Sequence, residues 1–280
     1  MTIAFMGVAH TARAGGSAIV CRIMRSVHGV DLEIVEQGQG RPMLWLHGEE
    51  GPDPGARFLD ALAGHGRVLA PAHPGYGRSP DSGTIDTVDD LAYLYLDLLA
   101  ERDLHDAVVI GASLGGWIAA EMAVKSAERI GRLVLAAPMG IKVGDRETRD
   151  IPDIFALHPD EVTKLLYHDP ARVAVDYGTL SDAQLTVIAR NREATTLYVW
   201  EPYFHNPKLR QRLRRITVPT LVVWGAEDRF VAADYYGAAY RTAIPGARFE
   251  IIGDAGHFPH LEQPVALTER VHRFMNERAA

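Results

Sequence analysis

Short β-branched and apolar runs recur along the chain, and longer stretches with apolar residues three and four apart lie between them. Ile19–Val27 and Leu32–Val35 read as strands separated by His28-Gly29. Pro42–Leu46, Val68–Ala70, Val108–Ile110, Leu133–Ala136, Thr220–Gly225 and Arg248–Ile252 read as further strands. Between Thr87 and Arg102 the apolar positions Val88, Leu91, Leu94, Tyr95, Leu98 and Leu99 fall on one helical face, with Asp86 or Thr87 available as cap. Helices are also expected at Phe58–Ala63, from Trp117 through Ala123, at Tyr235–Thr242 and at Pro264–Asn276. Strands that alternate with helices in this way predict an α/β fold, a mostly parallel central sheet flanked by helices.

The alternation stops between Pro138 and about Ile216. That stretch has no clear buried strand; it carries His158-Pro159, Asp169-Pro170 and Asn206-Pro207, and an aromatic cluster at Tyr198, Trp200, Tyr203 and Phe204. It reads as an inserted helical cap over 139–216, with residues 1–138 and 217–280 forming the core domain. Residues 1 to about 16 are expected to be weakly ordered.

At 280 residues, 47% hydrophobic and 23% charged, the chain is long enough for one such domain with an insertion. The net charge of −7 argues against a general nucleic-acid partner. Cys21 is the one cysteine, so no internal disulfide forms, and it reads as a small apolar strand residue. No run approaches the ~20 apolar residues of a membrane span. No signal peptide is read, since His10, Arg13 and Gly15-Gly16 interrupt the N-terminus. The expectation is a cytoplasmic protein acting on a small molecule, with no nucleic-acid or membrane partner and no cofactor or metal. Self-association to a homo-oligomer stays open.

The candidate chemistry centres on Gly111-Ala112-Ser113-Leu114-Gly115, which joins a buried strand to an apolar helix. This G-x-S-x-G spacing on a strand-to-helix turn holds a serine hydroxyl at the C-terminal edge of a sheet, with the following helix N-terminus aimed at the same spot. A serine needs a base, and the base an orienting acid. Downstream, Trp224-Gly225-Ala226-Glu227-Asp228 and Gly253-Asp254-Ala255-Gly256-His257 each follow a strand, so an acid and a histidine arrive at the same sheet edge. Glu227, Asp228 and Asp254 are the candidate acids, although an acid three residues from His257 must fold back to reach its ring. His260 is expected behind the site.

These pieces, with His47-Gly48 after the third strand, Gly75-Tyr76-Gly77-Arg78-Ser79 and Glu262-x-Pro264, resemble the α/β-hydrolase fold with a helical cap. The branch includes small esterases, carbon–carbon bond hydrolases, haloperoxidase-like enzymes, epoxide hydrolases and haloalkane dehalogenases. The resemblance spans about residues 31–276, least closely in the cap. It implies Ser113 as nucleophile, Asp228 as the acid and His257 as the base. It also implies an oxyanion hole from the backbone N–H groups of Leu114 and Glu49. Ser113, where the dehalogenases and epoxide hydrolases carry aspartate, implies an acyl-enzyme or a serine-bound tetrahedral species.

Glu49 departs from the apolar, Ser or Gly residues usual at its position. Its carboxylate is expected to point away from a developing anion, or else Glu49 or Glu50 meets a polar substrate or a cap arginine. Asn191, Arg192, Trp200, Tyr203 and His205 are candidate substrate contacts. The implied activity is hydrolysis of a small or medium ester, lactone or thioester. A second reading is a carbon–carbon hydrolase of vinylogous diketones, against which stand Ala112 and Phe258, where such enzymes commonly have asparagine and tryptophan. A third is a ligand receptor of the same fold without turnover.

Overall fold

A computed structural model of the chain describes residues 20–173 and 176–277. The expected disorder of residues 1–16 and the absence of a leader fall outside these residues, as does Ile19 at the head of the first expected strand.

Eight strands form one sheet: β1 (Cys21–Val27), β2 (Val30–Gln37), β3 (Pro42–Leu46), β4 (Arg67–Pro71), β5 (Ala107–Ala112), β6 (Ile130–Ala136), β7 (Thr220–Gly225) and β8 (Arg248–Ile252). Their spatial order is β1-β2-β4-β3-β5-β6-β7-β8. The pairs β1–β2 and β2–β4 are antiparallel, and every later pairing is parallel. All eight coincide with the apolar runs of the sequence. The interior strands β5 and β7 are buried along their whole length, which is why they read as unbroken apolar runs rather than alternating ones.

Nine helices accompany the sheet among the described residues: α1 (Ala56–Ala63), α2 (Val88–Glu101), α3 (Leu114–Lys125), α4 (Pro159–Leu166), α5 (Asp182–Val199), α6 (Leu209–Arg212), α7 (Ala238–Ala243), α8 (Pro259–Glu262) and α9 (Pro264–Asn276). Thr87 rather than Asp86 caps α2, in a reciprocal capping box with Asp90, a motif that satisfies two otherwise orphaned N–H groups. The helix expected at Tyr235–Thr242 begins instead as a wider turn over Ala233–Gly237 and becomes α-helical at Ala238. Buried side chains fall in two clusters, one for each face of the sheet. Leu91, Tyr95, Leu98 and Ile118 belong to one, and Phe58, Leu62, Leu267 and Phe274 to the other.

The stretch between β6 and β7 holds α4, α5, α6 and three short 3-10 turns, with no strand among its described residues. Its long helix α5 lies against the loop after β4. Arg190 donates to the carbonyls of Gly77 (3.2 Å) and Ser79 (2.9 Å), and Asn191 Oδ1 accepts from Gly77 N (2.9 Å). The Tyr198 hydroxyl donates to Pro74 O (3.0 Å), and those of Tyr76 and Thr195 pair at 2.8 Å. No described helix is long and apolar enough to cross a membrane.

Candidate active site

Six parallel strands end on one edge of the sheet, and the segments leaving four of them meet there. β5 runs into Ser113, the N-cap of α3, whose backbone is left-handed (φ +48°, ψ −112°). Such a conformation costs a non-glycine residue about 1–3 kcal/mol. The turn is pinned by Ser113 N on Ala136 O (3.0 Å), while Ser113 O accepts from Trp117 N (3.0 Å) and Met139 N (3.1 Å). The flanking glycines are steric requirements. A Cβ on Gly111 would sit 2.2 Å from Gly115 O, and one on Gly115 would sit 2.0 Å from Leu46 O.

The loop after β7 brings in Asp228 and the loop after β8 brings in His257. His257 Nε2 is 2.8 Å from Ser113 Oγ, and its Nδ1 is 2.8 Å from Asp228 Oδ2. Asp228 is itself held by three further donors, Trp224 Nε1 on Oδ2 (2.9 Å) and the N–H groups of Phe230 and Val231 on Oδ1 (3.0 Å each). With the acid accepting at Nδ1, the imidazole carries its proton there and presents a lone pair to the serine. Ser113 and His257 are fully buried and Asp228 nearly so. Burial alone would lower the His257 pKa, but the charges of Asp228, Glu49 and Glu50 outweigh it and raise it above the usual value. The rival acids lie elsewhere. Glu227 is half-buried, and its N–H bonds Ala255 O. Asp254 has a side chain 81% exposed, 3.9 Å from His168.

The segment 139–216 also reaches this edge. The end of α4 supplies Leu166 O to His257 N (2.7 Å) and Leu165 O to Arg229 N (3.2 Å). Glu262 accepts from Gly256 N (2.7 Å), His168 N (3.2 Å) and Asp169 N (3.0 Å). Thus one carboxylate ties the histidine loop to the chain just beyond α4.

The loop after β3 closes the site. A Cβ on Gly48 would lie 3.0 Å from Ser113 Cβ, so the backbone at Gly48 runs against Ser113. Below it His47 and His73 stack at 3.8 Å between ring centroids. His47 Nε2 accepts from His73 N (3.1 Å), and burial lowers its pKa to about 4, so it is a neutral strut. Glu50 Oε1 accepts from Gly48 N (3.1 Å) and lies 3.0 Å from His260 Nε2. His260 is indeed behind the site, fully buried.

Glu49 does not turn away as expected. Its side chain is only 7% exposed and Oε1 lies 3.9 Å from His257 Nε2. Neither of its carboxylate oxygens has a hydrogen-bond partner of good geometry. Burial raises its pKa, with Glu50 adding to the rise and His257 and the nearby Ser113 hydroxyl opposing it. The physical reason is local: the main chain is pressed against Ser113 and Glu50 is spent on His260, so the Glu49 side chain is left on the inner surface. The ion pairs that form here are with histidines, not with a cap arginine.

The other sequence candidates are dispersed. Asn191 sits at the seam with the Gly77 loop, its Nδ2 2.4 Å from where a Gly51 Cβ would be. Arg192 points to the Tyr177 hydroxyl (3.3 Å), Trp200 is 58% exposed and near Phe155, and Tyr203 bonds Pro152 O and Ile154 N. His205 bonds Tyr203 O at 2.8 Å. Tyr203, His205 and Trp200 share a cavity of about 390 Å³ with Lys142, Arg146 and Arg149. Sequence reasoning missed Arg190, whose guanidinium binds two core carbonyls, and the pairing of Glu50 with His260. Neither carries a local signal, because both depend on contacts between distant segments.

This arrangement can do one kind of chemistry readily. A buried serine with its proton directed to an oriented imidazole can attack an electrophilic carbonyl. The α3 N-terminus lies beside it to receive negative charge. Comparison with known proteins agrees with the fold. The chain is 31% identical over 262 residues to a Cupriavidus pinatubonensis protein named 2-hydroxy-6-oxononadienedioate/2-hydroxy-6-oxononatrienedioate hydrolase, covering 83% of this chain and 86% of that one. Among solved structures it superposes on naproxen esterase from Bacillus subtilis (TM-score 0.75, 18% identity, 92% of each chain). It also superposes on a meta-cleavage product hydrolase from Pseudomonas fluorescens IP01 (TM-score 0.70, 20% identity, 91% of this chain and 97% of that one). The profile of the Alpha/beta hydrolase family matches residues 38–270, and the chain belongs to that family.

Proposed function

We propose that this hydrolase cleaves a small or medium ester-type substrate (ester, lactone or thioester) through an acyl-enzyme on Ser113. The observation that carries the reading is the unbroken chain Asp228–His257–Ser113, with two contacts of 2.8 Å. His257 takes the Ser113 proton as Oγ attacks the carbonyl carbon. The resulting oxyanion is met by the N–H groups of Leu114, first in α3, and of Glu49. His257 then returns the proton to the departing alcohol, thiol or enol. In the second half it deprotonates water, which releases the acid and regenerates the serine. The segment 139–216 acts as the cap, and its ties through Glu262 and the α4 carbonyls hold the histidine loop in register.

The second reading, carbon–carbon cleavage, is favoured by the name of the Cupriavidus relative. Against it, a dienoate's carboxylate would need a cation at the site. The charges acting on His257 are those of Asp228, Glu49 and Glu50, all acidic, and Arg190 on α5 is committed to the carbonyls of Gly77 and Ser79. The receptor reading loses force because a serine aligned with a buried base is a reactive arrangement. Assay of p-nitrophenyl butanoate beside a ring-cleavage dienone tests the choice. Ester turnover that disappears in Ser113→Ala supports the proposal, and turnover of the dienone alone overturns it.

A further inference from the structure

Three buried carboxylate oxygens at the heart of the site have no hydrogen-bond partner of good geometry: Glu49 Oε1, Glu49 Oε2 and Glu50 Oε2. They lie close to the reacting atoms. Glu49 Oε1 is 3.9 Å from His257 Nε2. The point where a Gly48 Cβ would stand is 2.4 Å from Glu50 Oε2 and 3.0 Å from Ser113 Cβ. Burying a carboxylate without hydrogen bonds is costly, and Glu49, unlike Glu50, has neither oxygen engaged in a well-formed one, so a donor brought by a ligand would satisfy it.

An ionised Glu49 would also oppose the reaction as written above. A like charge beside a forming oxyanion repels it, and the more so in a buried site. A ligand that brings only a hydroxyl would satisfy an oxygen but leave that repulsion. A primary ammonium would remove both penalties, since it offers three donors and a positive charge.

We propose that Glu49, assisted by Glu50, is the docking site for a primary ammonium group on the acyl part of the substrate, so that the enzyme takes esters of amino acids with the amine a few bonds from the scissile carbonyl. The acyl side follows from the Ser113 reading, in which the Glu49 N–H meets the carbonyl oxygen of the acyl group. The inference rests on the Ser113 reading and narrows its substrate class. It also separates this chain from relatives named for dicarboxylate substrates, whose charge has the opposite sign. Phe230 and Phe258 pack against His257, with rings 5.0 and 5.1 Å from its own, and aromatic rings tolerate an ammonium well.

The test is calorimetric titration of Ser113→Ala protein with three esters of similar shape: ethyl 3-aminobutanoate, ethyl 3-methylbutanoate and the monoethyl ester of methylsuccinate with its free carboxylate on the branched carbon. The ammonium ester should bind at least tenfold more tightly than the neutral one, with the anion weakest. Adding Glu49→Gln should erase that advantage, and Glu49→Ala serves if the glutamine variant does not fold. Equal or tighter binding of the neutral or anionic ester, no measurable binding of the ammonium ester, or a preference that survives Glu49→Gln would overturn the proposal. Wild-type turnover of the neutral ester, lost in Ser113→Ala, reports separately on the nucleophile, so failure of one claim is distinguishable from failure of the other.

Discussion

Replacement of Asp228 by asparagine is the most informative single change in the triad, because the structure dictates what the amide must do. Asp228 Oδ1 accepts from the N–H groups of Phe230 and Val231, and Oδ2 accepts from His257 Nδ1 and Trp224 Nε1. Every partner is a donor. An asparagine has one acceptor oxygen, so its NH2 must face either the two backbone N–H groups or the two rings. The backbone amides cannot be rearranged without unfolding the loop, so the NH2 turns to the rings. Trp224 keeps a partner in Val231 O (2.9 Å). His257 must then accept at Nδ1 and move its proton to Nε2, where it meets Ser113 as a donor instead of a base. Loss of the productive tautomer costs roughly 10⁴-fold in kcat in serine hydrolases with such a triad, or about 5 kcal/mol of transition-state stabilisation. The folded state loses roughly 1–3 kcal/mol for the mismatched donors. The assay is kcat/KM on p-nitrophenyl butanoate, with near-ultraviolet circular dichroism to show that the variant is folded. Glu227→Gln and Asp254→Asn, measured beside it, should stay close to wild type. The reasoning is refuted if Asp228→Asn keeps more than a tenth of the activity, or if either neighbouring variant loses as much.

Other consequences follow from the same geometry. In the proposed mechanism His257 acts as a base, and its pKa is raised, so kcat/KM should climb with pH through a limb above the usual 6.5, and Glu49→Gln should shift that limb to lower pH; an unchanged limb contradicts the coupling. His47 is buried neutral with a pKa of about 4 against 6.5 unfolded. The unfolded chain therefore binds more protons between those values, and stability should fall by about 3 kcal/mol as pH drops from 6.5 to 4. Denaturant melts across that window, with His47→Gln flattening the slope, check this. Glu262→Gln retains one acceptor oxygen for the three N–H groups of Gly256, His168 and Asp169. It should cost roughly 1–3 kcal/mol of stability and lower activity, read by thermal melting and ester turnover; no change in either would show that the tie is idle.

The sheet was legible because burial on both faces leaves a plain trace, an unbroken apolar run such as Val108–Ile110 or Leu221–Trp224. The convergence of Ser113, Asp228 and His257 was legible because parallel strands place all their C-terminal ends on one side, and turn glycines mark the exits. The resemblance selected Asp228 over Glu227, and the structure puts only Asp228 against the imidazole. The side-chain direction of Glu49 was not legible: a loop residue's rotamer follows from what surrounds it, here Ser113 against Gly48 and His260 on Glu50, and both Ser113 and His260 are distant in sequence. The same holds for α5. Its residues Asn191 and Arg192 invited a reading as substrate contacts, yet Arg190 and Asn191 fasten the helix to the Gly77 loop, and Arg192 is turned towards Tyr177. Polar residues on a helix look alike whether they face a ligand or a seam.

The central claim is that Ser113 is an activated nucleophile, and intact-mass measurement after treatment with a fluorophosphonate tests it most directly. Wild-type protein should gain a single adduct, and Ser113→Ala protein none. An unmodified wild type, or an equal adduct on Ser113→Ala, would contradict it.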